Sequence, residues 1–167
     1  MTVNLSTPTV VEWEDRPYVG IHAVVTMATI DSVIPELIRE VLGRPEIVAA
    51  GSGDPIVRYD VIDMERELAI EVGVPVAAEV PGDGRAVGGV LPAGRYLTAT
   101  HTGLYDRLEE ATGAFRNWAS RHGHIFDMRL VDRGEVWGCR LEHYPTDPVA
   151  QPDSSRWETV LEFRLHD

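Results

Sequence analysis

The sequence predicts an α+β fold in which a β-α-β-β unit occurs twice, with a ligand site between the two repeats. The clearest support is the stretch from Tyr96 to Leu165. It reads as a short strand, a long amphipathic helix, a strand carrying Glu142 and Tyr144, and a closing strand with cleanly alternating apolar residues. The chain from Val10 onward repeats that order less distinctly, and no linker of disorder-like composition separates the halves. A single domain over 1–167 is expected, with repeat one at about 10–76 and repeat two at about 86–166.

Within the first repeat, Val10 to Thr26 holds short β-favouring pieces interrupted by Pro17 and Gly20, and reads as one bent or bulged strand. Val33, Leu37, Ile38, Val41 and Leu42 then recur at helical spacing. Thr29 or Asp31 can cap this helix, Pro35 falls near its first turn, and Gly43 followed by Pro45 stops it. Residues 49–55 are Gly-rich but lack the Gly-Lys-Ser/Thr ending of a phosphate loop, so they read as a connection. Ile56 to Ile62 and the alternating Leu68, Ile70 and Val72 form a hairpin turning at Asp63 to Arg66. Ala86 to Val90 is a glycine-bearing edge strand, followed by a Leu91-Pro92-Ala93-Gly94 turn.

In the second repeat, a strand opens at Arg95 with Tyr96, Thr98 and Thr100 on one side, a mixed pattern suited to a partly polar space. Leu104, Leu108, Ala111, Phe115, Trp118 and His122 mark the buried stripe of a helix ended by Gly123. The segment 125–135 reads either as irregular or as a short strand around Met128 to Val131. Val136 to Tyr144 reads as one strand. Its parity sets Gly138, Arg140, Glu142 and Tyr144 opposite Trp137, Cys139, Leu141 and His143.

Composition restricts the function classes. With 27 acidic and 15 basic residues the formal net charge is -12, a field that repels nucleic acid and anionic membrane and attracts cations. The single cysteine, Cys139, excludes an internal disulfide and reads as buried filler. The six histidines do not fall in a metal-binding pattern, the serines lack a nucleophile elbow, and neither a leader nor a membrane span is evident from Met1 onward. The expectation is a cytoplasmic protein with no metal, no cofactor, no membrane association and no direct nucleic-acid contact.

Glu142 stands out because a carboxylate in an aromatic-rich strand is expensive to bury without a partner. Arg140, two residues away on the same face, offers an internal salt bridge. A cationic guest is the alternative, since an anion backed by aromatic faces supplies charge complementarity and cation–π attraction. Tyr144 could donate to Glu142 or to a ligand, while Tyr59, Tyr96 and Trp137 are either core residues or cavity wall.

Several motifs resemble one family. They are Leu91-Pro92-Ala93-Gly94-Arg95-Tyr96 running into Thr100-His101-Thr102-Gly103-Leu104-Tyr105, Leu141-Glu142-His143-Tyr144 followed by Asp147-Pro148, and Trp157-Glu158-Thr159, with Arg58-Tyr59-Asp60 and Val72-Gly73-Val74-Pro75 in the first half. In order and spacing they resemble the gyrase-inhibitor-like small-molecule-binding family, which includes effector-binding domains of AraC-type and MerR-type transcription regulators. The resemblance implies duplicated β-α-β-β units forming an antiparallel sheet, with a ligand cleft at the pseudo-twofold junction. It implies that Glu142 faces that cleft with Tyr144 beside it, and that Tyr59, Tyr96 and Trp137 line the wall. Since no DNA-binding module accompanies the motifs, it also implies a stand-alone binder of an apolar aromatic compound, either cationic or neutral. The runner-up is a cofactor-independent hydrolase of cyclopropanepyrroloindole-like electrophiles, with Glu142 as general base and Tyr144 as proton donor. A third reading is an acidic protein-interaction module, and the existence of a homodimer or protein partner is left open.

Overall fold

The hydrophobic periodicities resolve into thirteen named elements among the residues that the computed structural model describes, 3–132 and 134–167. Met1 and Thr2, at the start of the segment in which no leader is evident, and Arg133, in the ambiguous 125–135 segment, lie outside the described residues. The elements are β1 (Thr9–Trp13), β2 (Arg16–Val25), α1 (Ile30–Leu42), α2 (Pro45–Ala50), β3 (Ile56–Ile62) and β4 (Leu68–Pro75) in the first half. The second half holds β5 (Ala86–Leu91), β6 (Gly94–Thr102), α3 (Leu108–Arg121), β7 (Met128–Val131), β8 (Gly134–Trp137), β9 (Arg140–His143) and β10 (Glu158–Arg164). Short 3-10 turns occupy Tyr105–Arg107 and Ser154–Arg156.

All ten strands join one antiparallel sheet in the order β1-β6-β10-β9-β3-β4-β2-β5, with β8 also pairing β3 and carrying β7. The order reads symmetrically about the β3–β9 pair. On one side lie β10, β6 and the borrowed β1, and on the other β4, β2 and the borrowed β5. Each half therefore lends its first strand to the edge of the other, which ties the two together by backbone hydrogen bonds. The expected α+β class with a large antiparallel sheet is the fold observed.

Alternation along the strands separates two apolar clusters. Val57, Tyr59, Ile70, Val72, Leu161 and Phe163 pack with Leu37 and Val41 of α1 and with Phe115 and Ala119 of α3, so both helices cover the same face. Phe115 meets Phe163 edge-on, with ring centroids 5.0 Å apart. Across the sheet, Tyr18, Ile56, Leu91, Tyr96, Cys139 and Leu141 form a smaller core.

Local structure corrects the sequence reading in several places. The segment expected to be one bent strand is two, β1 and β2, parted at Glu14-Asp15, where Asp15 Oδ1 accepts from Ala93 N–H (2.7 Å). Pro45 does more than end α1: it opens α2, since its fixed φ suits a first helical position. Pro35 lies past the first turn of α1, and Thr29 sits at the N-cap without a side-chain hydrogen bond to the helix. The strand expected over 136–144 is broken at Gly138-Cys139 into β8 and β9. There Gly138 N–H donates to Asp127 O (2.8 Å), and the Asp127 carboxylate fills the space that a Cβ at position 138 would need.

The β2–β4 pairing depends on a glycine. Gly73 lies opposite Gly20, and a Cβ on Gly73 would come within 2.6 Å of Gly20 Cα and closer still to the Val19 carbonyl oxygen. Both neighbours are backbone and cannot swing away. Gly73→Ala is expected to lower the unfolding free energy by about 3 kcal/mol, as measured by urea denaturation.

Candidate functional site

The site grows from the seam between the repeats. Cys139, just before β9, and Leu141 within it are buried in the smaller, lower core, which turns Arg140 and Glu142 toward the helix-covered face. Glu142 lies opposite Val57 on β3 and Leu161 on β10, two fully buried aliphatic residues that offer its carboxylate nothing. Its partners come from the diagonal and from its own strand direction. Tyr59 Oη donates to Glu142 Oε1 at 2.8 Å and Tyr144 Oη donates to the same oxygen at 2.5 Å. Among the described residues, no hydrogen bond reaches Oε2. Burial, followed by the Glu142 charge, raises both phenols well above their ordinary pKa, so they remain protonated donors.

Arg140 is also buried, yet it forms no ion pair with Glu142 among the described residues; its nearest carboxylate oxygen is Glu135 Oε1 at 3.9 Å. It is instead surrounded by rings, 4.6 Å from Phe163, 4.9 Å from Trp137 and 5.4 Å from Tyr59. Burial pushes its pKa below the usual arginine range, with the Glu142 charge the main opposing influence. The strand break at Gly138 explains why Trp137 can stack here. Uninterrupted parity would have put Trp137 on the other face, whereas the break brings it beside Arg140 and Phe163.

Above these side chains lies a cavity of about 1640 Å³. Ile34, Pro35 and Ile38 of α1 line one wall, Leu108, Thr112 and Arg116 of α3 the other, and Pro145 to Val149 a further side. Tyr105 reaches it from the 3-10 turn, edge-on to Tyr144 (5.8 Å) and stacked at a tilt on Trp157 (4.9 Å). Asp31, Asp54, Asp63, Asp106, Glu109, Glu135, Glu142 and Asp147 contribute carboxylates to the lining, against the guanidinium groups of Arg39, Arg116 and Arg140. The walls are apolar with an acidic bias, and Glu142 is the deeply buried anion.

Of the residues singled out from sequence, the structure brings together Glu142, Tyr144 and Tyr59 on the cavity lining. Trp137 backs Arg140 without lining the cavity. Tyr96 lies across the sheet in the smaller core, where its hydroxyl donates to Pro92 O at 2.6 Å, and it does not reach the cavity. Sequence reasoning did not single out Tyr105, Thr112 or Arg116. Tyr105 ends one of the family-like motifs, which was the available signal.

A second polar group occupies the opposite face. His22, Asp60 and Glu71 place ligand-type atoms within 4.8 Å of one another, Tyr18 Oη donates to Glu71 Oε1 (2.5 Å), and Arg58 Nε lies 3.2 Å from Asp60 Oδ1. Asp60 sits where the β3–β4 register shifts. Burial and the adjacent Glu71 raise its pKa to about 7, with Arg58 opposing them. The folded protein thus holds a proton that the unfolded chain releases near pH 4. The resulting stability is complete below that pH and is lost as pH rises through about 7. Relative to Asp60→Asn, which does not titrate, the wild type should lose on the order of 1–2 kcal/mol between pH 5 and pH 8, measured by urea unfolding at each pH.

A helix-walled cleft over a buried anion at the seam of a duplicated sheet marks an α+β ligand-cleft fold. The chain matches the GyrI-like small molecule binding domain over residues 6–164, and it belongs to that family. A search of the curated proteins finds no match. Among solved structures, the chain is similar to EcmrR in an EcmrR–DNA complex, with 20% identity and a TM-score of 0.73, covering 96% of this chain and 57% of that one. The C-terminal domain of EcmrR alone gives 19% identity and a TM-score of 0.68 over 96% and 98% of the two chains. SAV2435 bound to tetraphenylphosphonium gives 8% identity and a TM-score of 0.68 over 96% and 94%. At these identities the likeness is one of fold. The chain spans little more than half of the longer EcmrR chain.

Proposed function

We propose that this protein binds lipophilic aromatic cations in the cavity between α1 and α3, with Glu142 as the anionic anchor. The observation that carries this reading is the carboxylate itself. It is buried between aliphatic neighbours, bonded among the described residues through Oε1 alone, and set at the base of an apolar cavity. In a low-dielectric site such an anion attracts a cation far more strongly than it would in water. Tyr59, Tyr144 and Tyr105 supply aromatic surface for cation–π and stacking contacts. The net charge of -12 and the acidic lining raise the local concentration of cations. The tetraphenylphosphonium bound by SAV2435, which shares this fold, supports the ligand class.

Calorimetric titration with tetraphenylphosphonium is the direct test. Wild type should bind it, and Glu142→Gln, which keeps the shape and removes the charge, should weaken binding by about tenfold to a hundredfold. Equal affinity of the two forms would exclude Glu142 as the anchor. The same protein incubated with cyclopropane-bearing electrophiles and followed by mass spectrometry should return them unchanged. Repeated water addition by wild type and not by Glu142→Gln would replace this reading with hydrolysis in which Glu142 is the general base.

A further inference from the structure

Arg140 presents a chemical demand that the described protein groups do not meet. It is 9% exposed, and a guanidinium carries five N–H donors. Among the described residues it donates no hydrogen bond, its Nε is buried with no partner, and the 3.9 Å separation from Glu135 is too long for one. The rings of Phe163, Trp137 and Tyr59 stabilise its charge but do not supply the oxygen lone pairs that the guanidinium fork is built to meet. Arg116, the neighbouring guanidinium, is already bonded to Glu135 (2.9 Å). Glu142, the obvious partner, is bonded instead to two tyrosines. The two opposite charges therefore do not pair, although they rise from one strand face whose successive same-face Cα atoms are roughly 7 Å apart. Each has its own support, hydroxyls for the anion and ring faces for the cation.

We propose that Arg140 is an oxyanion subsite of the cavity, and that the ligand is an aromatic zwitterion whose cationic part meets Glu142 while its carboxylate meets Arg140. The proposal rests on the cation-binding reading above and narrows its ligand class. An oxyanion from the cavity would accept from the N–H groups that no described residue engages and would give the guanidinium a closer counter-charge than Glu135 at 3.9 Å. A singly charged cation would leave that demand unmet.

Rhodamine 110 and rhodamine 123 form a matched pair of probes. They share a cationic xanthene and differ in a free carboxylate on the first against a methyl ester on the second. Fluorescence anisotropy should show wild type binding the acid about tenfold more tightly than the ester. Arg140→Met should abolish that preference, bringing the acid-to-ester affinity ratio to about one. Arg140→Lys, which keeps the charge but loses the fork, should fall between. Circular dichroism checks that the variants fold, and the acid-to-ester ratio of wild type tests the subsite without any variant. If the acid gains nothing over the ester in wild type, or if Arg140→Met retains the preference, the Arg140 subsite is wrong. If tetraphenylphosphonium also fails to bind wild type, the cation-binding reading fails with it.

Discussion

The carboxylate of Glu142, buried at the seam where β3 meets β9, is the constraint around which the rest of the site is arranged. Taking such an ion out of water costs several kcal/mol. Two phenol hydroxyls on Oε1, each worth about 1.5–3 kcal/mol as bonds to a charged acceptor, offset a comparable amount. Both hydroxyls donate to one oxygen, and Oε2, free of hydrogen bonds among the described residues, stays available to a guest.

Sheet topology supplies the two tyrosines. Val57 opposite Glu142 fixes the β3–β9 register, and Tyr59 follows two residues on, on the same face. A slip of one residue would send Tyr59 into the lower core and leave Glu142 with Tyr144 alone. Exchange of the first strands, β1 onto β6 and β5 onto β2, binds each half to the other and holds that seam. The break at Gly138 then turns Trp137 under Arg140, so the aromatic support of the cation depends on a close contact between Gly138 and Asp127.

The fold class and the prominence of Glu142 are legible in the sequence because both rest on local pattern. Glu142 is conspicuous as a charge in an apolar strand, and the alternation in β3, β4 and β10 is clean. The miscast residues failed for long-range reasons. Trp137 was set on the wrong face because the strand break depends on Asp127, eleven positions away in the chain. The family resemblance implies Tyr96 as cavity wall, while its residue pattern leaves core and wall both open. In a strand paired on both edges with apolar residues on both faces, alternation does not say which face meets the cavity. Of the two alternatives open for Glu142, the salt bridge to Arg140 is one that parity allows but that does not form among the described residues, where two tyrosines hold the carboxylate. Tyr105 belongs to no strand or long helix, so no periodicity pointed to it.

A crystal structure of the protein with tetraphenylphosphonium would test the central claim most directly. The account predicts the cation between α1 and α3, with phenyl rings against Tyr105 and Tyr144, its centre within about 6 Å of the Glu142 carboxylate, and both tyrosine hydroxyls still on Oε1. A cation bound on another surface, or a Glu142 that turns away to pair with Arg140 when the cavity fills, would contradict it.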